Sequence, residues 1–287
     1  MVEARIGVIG GTGLYTMEDL IDVEEIKPRT PFGDPSDTIA VGSLEGTRVA
    51  FLPRHGIGHR FSPTEIPVQA NIFALKSLGV EWIISVSAVG SLQEEIRPLD
   101  LVIPDQLIDR TKSRERTFFG KGVVAHVGFA EPFCPTLSGI LYEAAKEVGV
   151  RVHRGGTYVV MEGPLFSTKA ESSLYRSWGA SVIGMTALPE AKLAREAEIH
   201  YATLACSTDY DVWHESHEPV TVEMIISNLA KNVDNSKKII RSAIKRLPDG
   251  PGCVCASALE NAIVTAPEVI PAETKNDLRL LIGKYVR

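Results

Sequence analysis

The sequence predicts an α/β fold: a single domain over residues 1–287 in which a central mixed β-sheet carries helices on both faces. Three observations predict it. Short apolar runs of strand length alternate with stretches whose apolar residues recur at helical spacing, glycine or proline punctuates the junctions, and no Ser/Gly-rich or charged linker divides the chain.

Taken in order, Arg5 to Ile9 is a short apolar strand running into Gly10-Gly11-Thr12-Gly13, and residues 38–43 and 47–52 pair as a hairpin around Glu45-Gly46. From Pro67 to Leu78, Val68, Ile72, Leu75 and Leu78 recur at helical spacing, and Gly79 supplies the stop. Trp82 to Val86 reads as a buried strand, Leu101 to Ile103 as another, and Pro135 to Val148 as a helix ending at Gly149. Thr157 to Val160 is a strand, and Thr168 with Glu171 forms a capping box opening a helix that stops at Gly179. Strand 181–184, helix 188–197, strand 199–205 and a long helix over 220–245 complete the alternation. At about 150 residues per domain, 287 residues admit one large or two ordinary domains. The one break in composition, Leu247 to Gly252, leaves too little chain beyond it for a second core, which favours one.

Composition excludes several classes of function. Thirty lysines and arginines stand against 36 aspartates and glutamates, a net charge of −6, so the long-range field repels nucleic acid and acidic membrane. Any anion this protein binds must be caught by a local pocket. No apolar run approaches the roughly 18 residues of a membrane helix, and Met1 to Gly10 lacks a basic segment leading into an apolar core, which predicts a cytoplasmic protein. Cys134, Cys206, Cys253 and Cys255 are too few for a disulfide scaffold and form no Cys-x-x-Cys pair. Cys253-Val-Cys255 stands apart, because two thiols one residue apart could close a strained, redox-active ring.

In α/β sheets ligands bind beyond the C-terminal ends of strands, so the loops there carry the chemistry. Gly10-Gly11-Thr12-Gly13, Pro53-Arg54-His55-Gly56, Ser87-Ala88-Val89-Gly90-Ser91 and Met185-Thr186 share small residues, hydroxyls or open amides, with one guanidinium among them. Such a set suits a phosphate, whose charge needs several converging donors when partly buried. A glycine-rich turn is ordinarily only a tight turn, and this first one fails both the dinucleotide fingerprint and the P-loop ending. His55 and His59 have helical ligand spacing, but Gly56 and Gly58 argue against a helix; His214 to His217 is one residue short of the zinc-protease pattern; no metal is expected. Ser87 lacks the flanking glycines of a hydrolase nucleophile elbow. Asp209 and Asp211, directly after an apolar strand, would point to one side if extended, though a solvated turn has the same spacing. A carboxyl in a dry pocket has its pKa raised and could share a proton with a ring nitrogen.

Together these residues resemble the S-methyl-5'-thioadenosine phosphorylases of the purine nucleoside phosphorylase group. The resemblance runs to about residue 245 on eight ordered motifs: residues 7–14, 53–56, 69–76, 105–111, 130–134, 161–167, 184–190 and 208–213, among them Gly-Val-Ile-Gly-Gly-Thr-Gly-Leu, Pro-Arg-His-Gly, Met-Glu-Gly-Pro-Leu-Phe-Ser and Thr-Asp-Tyr-Asp-Val-Trp. It implies phosphorolysis of 5'-methylthioadenosine to adenine and 5-methylthioribose 1-phosphate, in methionine and purine salvage, with inorganic phosphate as co-substrate and no cofactor. By the same resemblance Thr12, Arg54, His55, Ser87, Ala88 and Thr186 form the phosphate site, with Ser87 where the family is expected to carry threonine. Met185 lies against the ribose, Phe166 packs on the purine, and Asp209 and Asp211 face the base as the catalytic carboxylates. Val222 and Ile225 offer an apolar wall for the methylthio group, and His126 reaches in from a neighbouring subunit of a homotrimer or hexamer. An aspartate at 209 suits a 6-amino purine, whereas an asparagine amide suits a 6-oxopurine, the substrate of the nearest alternative, a related nucleoside or methylthioinosine phosphorylase. A hydrolytic nucleosidase would not need the donor cluster, and a binding protein without turnover would release no adenine.

Overall fold

The computed structural model describes residues 4–11, 14, 17, 19–214, 221–250 and 253–286. Among these residues eleven strands and seven α-helices follow one another as β1 (Ile6–Gly10), β2 (Ile21–Ile26), β3 (Ile39–Leu44), β4 (Thr47–Pro53), α1 (Val68–Ser77), β5 (Trp82–Ser91), β6 (Leu101–Ile103), β7 (Gln106–Arg110), α2 (Pro135–Val148), β8 (Val152–Arg154), β9 (Thr157–Met161), α3 (Lys169–Ser177), β10 (Val182–Gly184), α4 (Ala187–Glu196), β11 (His200–Asp209), α5 (Val222–Ile244), α6 (Ala272–Asp277) and α7 (Arg279–Ile282). All the strands join one mixed sheet, ordered β2-β3-β4-β1-β5-β10-β9-β7, with β11 also on β5 and β6 bridging β11 to β8.

Alternation along the central strands decides what each face meets. Ile83, Tyr201 and Leu52 point into a core shared with α1 and α4, while Trp82, Ile84, Ala202 and Phe51 point into a second core shared with α2 and α5. Helices therefore cover both faces, as the alternation predicts. The hairpin turn forms at Glu45 and Gly46, both at positive φ, the backbone sense that matches strand twist in a two-residue turn. Helix α2 starts on Cys134, whose sulfur accepts from the Leu137 N–H, and ends on Gly149 in the left-handed conformation. The capping box of Thr168 and Glu171 forms as expected at the start of α3. No helix among the described residues is long and apolar enough to cross a membrane.

Three departures bear on the site. Residues 87–91, expected as a loop, continue β5, because β11 pairs with them as far as Gly90 and β10 takes over antiparallel at Gly90 and Ser91. Strand β11 likewise runs on to Asp209, past the predicted end at Ala205, through an irregularity in register between Ser207 and Asp209. The segment after α5 is not a mere tail: Leu259, Ile270, Leu278, Leu281 and Ile282 are buried in the α1/α4 core. Strands β2, β7 and β8 were not legible in the sequence; β2 and β7 lie at the two ends of the sheet and bury little, and β8 is three residues long.

Candidate active site

Strand register brings the loops together. The antiparallel pairs Val182 with Ser91 and Ile183 with Gly90, continued by two or three residues, set Met185 beside Ala88 and Thr186 beside Ser87. The hydroxyls of Ser87 and Thr186 accordingly meet at 2.9 Å. Ser87 is buried, whereas Ala88, Met185 and Thr186 stay half-buried at the sheet edge. On the other side of β5, parallel β11 pairs Ala205 with Ser87 and, beyond the bulge, Asp209 with Gly90. A Cβ on Gly90 would lie 3.0 Å from Asp209 Oδ1 and 3.2 Å from the Asp211 Cβ, so the bare glycine is what lets the acidic turn close over β5.

The acidic pair is not extended. Asp211 has φ +50°, and its N–H donates to Asp209 Oδ1 at 2.8 Å, while Thr208 Oγ1 donates to Asp209 Oδ2 at 2.6 Å. Of the two arrangements the spacing leaves open, an extended pair and a solvated turn, the chain forms neither: a bulge and a buried turn fold the two carboxylates together. Burial pushes both carboxyls above the ordinary aspartate range, partly offset at Asp209 by the bonds from Thr208 and Asp211. Asp211 Oδ2 is buried and, among the described residues, lacks a hydrogen-bond partner of good geometry, with the Ser172 side chain the polar neighbour that offsets its burial. From α5, Asn228 Nδ2 holds the Thr208 carbonyl at 2.7 Å and fixes the end of β11.

Arg54 sits beneath the donors, 1% exposed, and its fork is already engaged. Nε donates to Glu190 Oε1 at 2.5 Å, Nη2 to Glu190 Oε2, Ser85 Oγ and the Ile9 carbonyl, and Nη1 to the Val86 carbonyl at 2.8 Å. Of five guanidinium hydrogens, four have acceptors among the described residues, and one on Nη1 has none there. An open bidentate clamp on phosphate is therefore not what the fork forms; its charge and that single hydrogen are what it can offer. His55 Nδ1 lies 2.9 Å from the Phe61 carbonyl, which can only accept, so Nδ1 carries the proton. Burial, then the Arg54 charge, pulls His55 down to about 4. Its neutral ring leaves Nε2 as an acceptor. Thr12 lies outside the described residues.

Two residues that sequence reasoning missed organise the rest. Glu190, on α4, collects Arg54, Ser85 Oγ at 3.0 Å and the Tyr201 hydroxyl at 2.9 Å. Arg114 donates to the carbonyls of Met185, Leu188 and Glu162 and to Glu162 Oε1, tying the exit of β9 to the turn that carries Thr186. Burial would raise the Glu162 carboxyl, but bonds from Thr64 and Lys112 and the Arg114 charge hold it down at about 2. A buried glutamate in an apolar-looking helix and an arginine in a polar loop gave only weak signals. Phe166, after β9, is 45% exposed, Val222 is 58% exposed, and Ile225 is half-buried on α5, so the proposed base and methylthio walls stand on open surface. His126 is exposed and lines a separate cleft of about 480 Å³ with Phe129, Lys192 and Arg195, which takes in none of Ser87, Thr186, Asp209 or Asp211.

Comparison with known proteins agrees with this architecture. The family model described as the phosphorylase superfamily matches residues 5–245. An S-methyl-5'-thioadenosine phosphorylase of Geobacter sulfurreducens is 60% identical, over 99% of this chain and 100% of its own, and one of Thermosynechococcus vestitus is 59% identical over 99% of each. A crystal structure of a methylthioadenosine phosphorylase from an antarctic soil metagenomic library superposes with a TM-score of 0.94 at 51% identity, covering 98% of this chain and 99% of that one. The Schistosoma mansoni methylthioadenosine phosphorylase in complex with adenine superposes at 0.83 with 35% identity, over 90% and 97%. Matched end to end at such identity and sharing one fold, the chain belongs to the S-methyl-5'-thioadenosine phosphorylases of the phosphorylase superfamily.

Proposed function

We propose that this enzyme catalyses phosphorolysis of 5'-methylthioadenosine, exchanging the bond from C1' to the purine for a bond from C1' to a phosphate oxygen, and releasing adenine and 5-methylthioribose 1-phosphate. The observation that carries the reading is the arrangement along β5: a hydroxyl pair at Ser87 and Thr186, and, three residues further on, a buried acidic pair against Gly90. Three extended residues span about 10 Å, room for a ribose between a bound anion and a bound base.

As the glycosidic bond breaks, positive charge grows on the ribose and negative charge on the purine. Thr12, Ser87, Thr186 and the Ala88 backbone hold phosphate at one end, with the Arg54 charge beneath them, and the neutral His55 accepts from a protonated phosphate oxygen. Asp209, its pKa raised by burial, shares a proton with N7 and accepts from the 6-amino group, and the Asp211 carboxyl, likewise raised by burial, faces the same base. Met185 lies under the ribose, Phe166 covers the base, and Val222 and Ile225 receive the methylthio group. No further cofactor is required, since phosphate is both nucleophile and carrier.

The exposed Leu165, Phe166 and Val222 fit a homotrimer in which a neighbouring copy closes each site and supplies His126. Sedimentation at equilibrium tests that assembly, a monomer at micromolar concentration overturning it. Four free thiols suit the reducing cytoplasm. The catalytic test is a phosphate titration with 5'-methylthioadenosine, adenosine and inosine in parallel, reading the free base. Adenine release should rise with phosphate and saturate; equal release without phosphate would make the protein a hydrolase.

A further inference from the structure

Away from the nucleoside site, a cluster of thiols and one imidazole gathers where β11 begins and beyond the end of α5. Cys134, His200, Cys253 and Cys255 bring three sulfurs and one imidazole nitrogen within 4.8 Å of one another. Cys134 Sγ and Cys253 Sγ approach the same atom, His200 Nδ1, at 3.3 and 3.2 Å; the two sulfurs are 3.4 Å apart, and Cys253 and Cys255 are 3.1 Å apart. We propose that these four residues form a structural zinc site, Cys3His, that clips the C-terminal segment to the body of the domain.

The geometry is that of a compact four-atom donor set. A tetrahedron with Zn–S of about 2.3 Å and Zn–N of about 2.0 Å has edges of roughly 3.5–3.8 Å; the two S–N separations and that of Cys134 from Cys253 lie within about 0.4 Å of this, and Cys253 and Cys255 would move apart by about 0.7 Å to share an ion. As thiolates around one nitrogen, the three sulfurs would need a cation to balance their charge. Cys134, His200 and Cys255 are buried and Cys253 is half-buried, so solvent contributes little to that charge balance. Cys134 caps α2 and accepts the Leu137 N–H, which places one sulfur of the set on the positive end of a 14-residue helix. His200 is held by stacking on Trp82, with ring centroids 3.8 Å apart at 13°, so its nitrogen is oriented before any ion arrives. The sequence hid the site because Cys134 and His200 are 66 residues apart and Cys253 lies 53 beyond His200, so only the Cys-Val-Cys corner is local. The strained Cys253–Cys255 ring expected from that corner is a different fate for the same thiols, and here all four cysteines are free.

The test is metal content and cobalt spectroscopy on the full-length wild-type protein purified under reducing conditions. About one zinc per chain is expected, and replacement by cobalt(II) should give the visible bands of a tetrahedral thiolate centre. The Cys253→Ser variant, altered at the least buried ligand, should lose most of the metal, and chelation should lower the melting temperature of the wild type while leaving phosphate-dependent adenine release intact at 25 °C. A wild-type protein with four titratable thiols that takes up no more zinc or cobalt than Cys253→Ser overturns the proposal. So does an intact mass showing Cys253 bonded to Cys255 in the reduced-purified, active enzyme.

Discussion

Replacing Glu190 by Gln tests whether the site stands on a buried ion pair. Arg54 and Glu190 are 1% and 2% exposed, and the carboxylate accepts from Arg54 through both oxygens while also holding Ser85 and Tyr201. An amide offers one acceptor oxygen where the carboxylate has two, so whichever way it turns, an N–H faces a donor. It also leaves the guanidinium without a counter-charge. Removing one partner of a buried pair costs about 3–5 kcal/mol, because the remaining charge is stranded. For a chain of this size, at roughly 2–4 °C per kcal/mol, the melting temperature should fall by about 10 °C. Differential scanning calorimetry at pH 7 reads this directly, and a urea titration with an unchanged slope confirms that stability rather than compactness moved. The double variant Arg54→Met with Glu190→Leu removes both charges and should be more stable than Glu190→Gln alone, though inactive with phosphate. A Glu190→Gln protein within about 1 kcal/mol of wild type, or a double variant less stable than the single one, would refute the reasoning.

Three further outcomes are expected. Asp209→Asn should lower kcat/KM for 5'-methylthioadenosine by about 10²–10⁴ while improving the ratio of inosine to adenosine turnover; an unchanged ratio would remove Asp209 from base selection. Ser87→Ala deletes the hydroxyl paired with Thr186 and should raise KM for phosphate about tenfold, the effect of one hydrogen bond, with KM for the nucleoside little changed. His55 is held at about 4 in the fold against 6.5 unfolded, so the unfolded chain binds the extra proton and stability falls as pH drops from 6.5 through 4, by up to about 3 kcal/mol. His55→Gln should flatten that part of the stability curve, and identical wild-type and variant curves would show that His55 does not titrate as described.

How much was legible depended on how local the cause was. Turn and cap chemistry needs only neighbours: Glu45-Gly46, the Thr168/Glu171 box and the Gly149 stop each appear where the residues put them. The ends of β5 and β11 were misjudged because pairing with distant β10 and with each other, not local propensity, extends them. Arg54 stands out in the sequence as a cation beside histidine and glycine, yet nothing near it in the chain announces that Glu190, 136 residues away, occupies its fork. Arg114 and Asn228 were equally silent, since their work is to hold backbone carbonyls from other elements.

By itself, then, the sequence determined the alternating α/β order, the turns, the residue types at the strand ends and, through its ordered motifs, the family. These follow from periodicity and short-range chemistry, which a chain carries before it folds. Tertiary structure alone decided which hydroxyls meet, that Asp209 and Asp211 fold together over Gly90 rather than lie extended, that Arg54 is neutralised from beneath, and that three cysteines and a histidine converge on one point. Each of those depends on register between strands far apart in sequence, and register is set only when the two cores on either side of the sheet are packed.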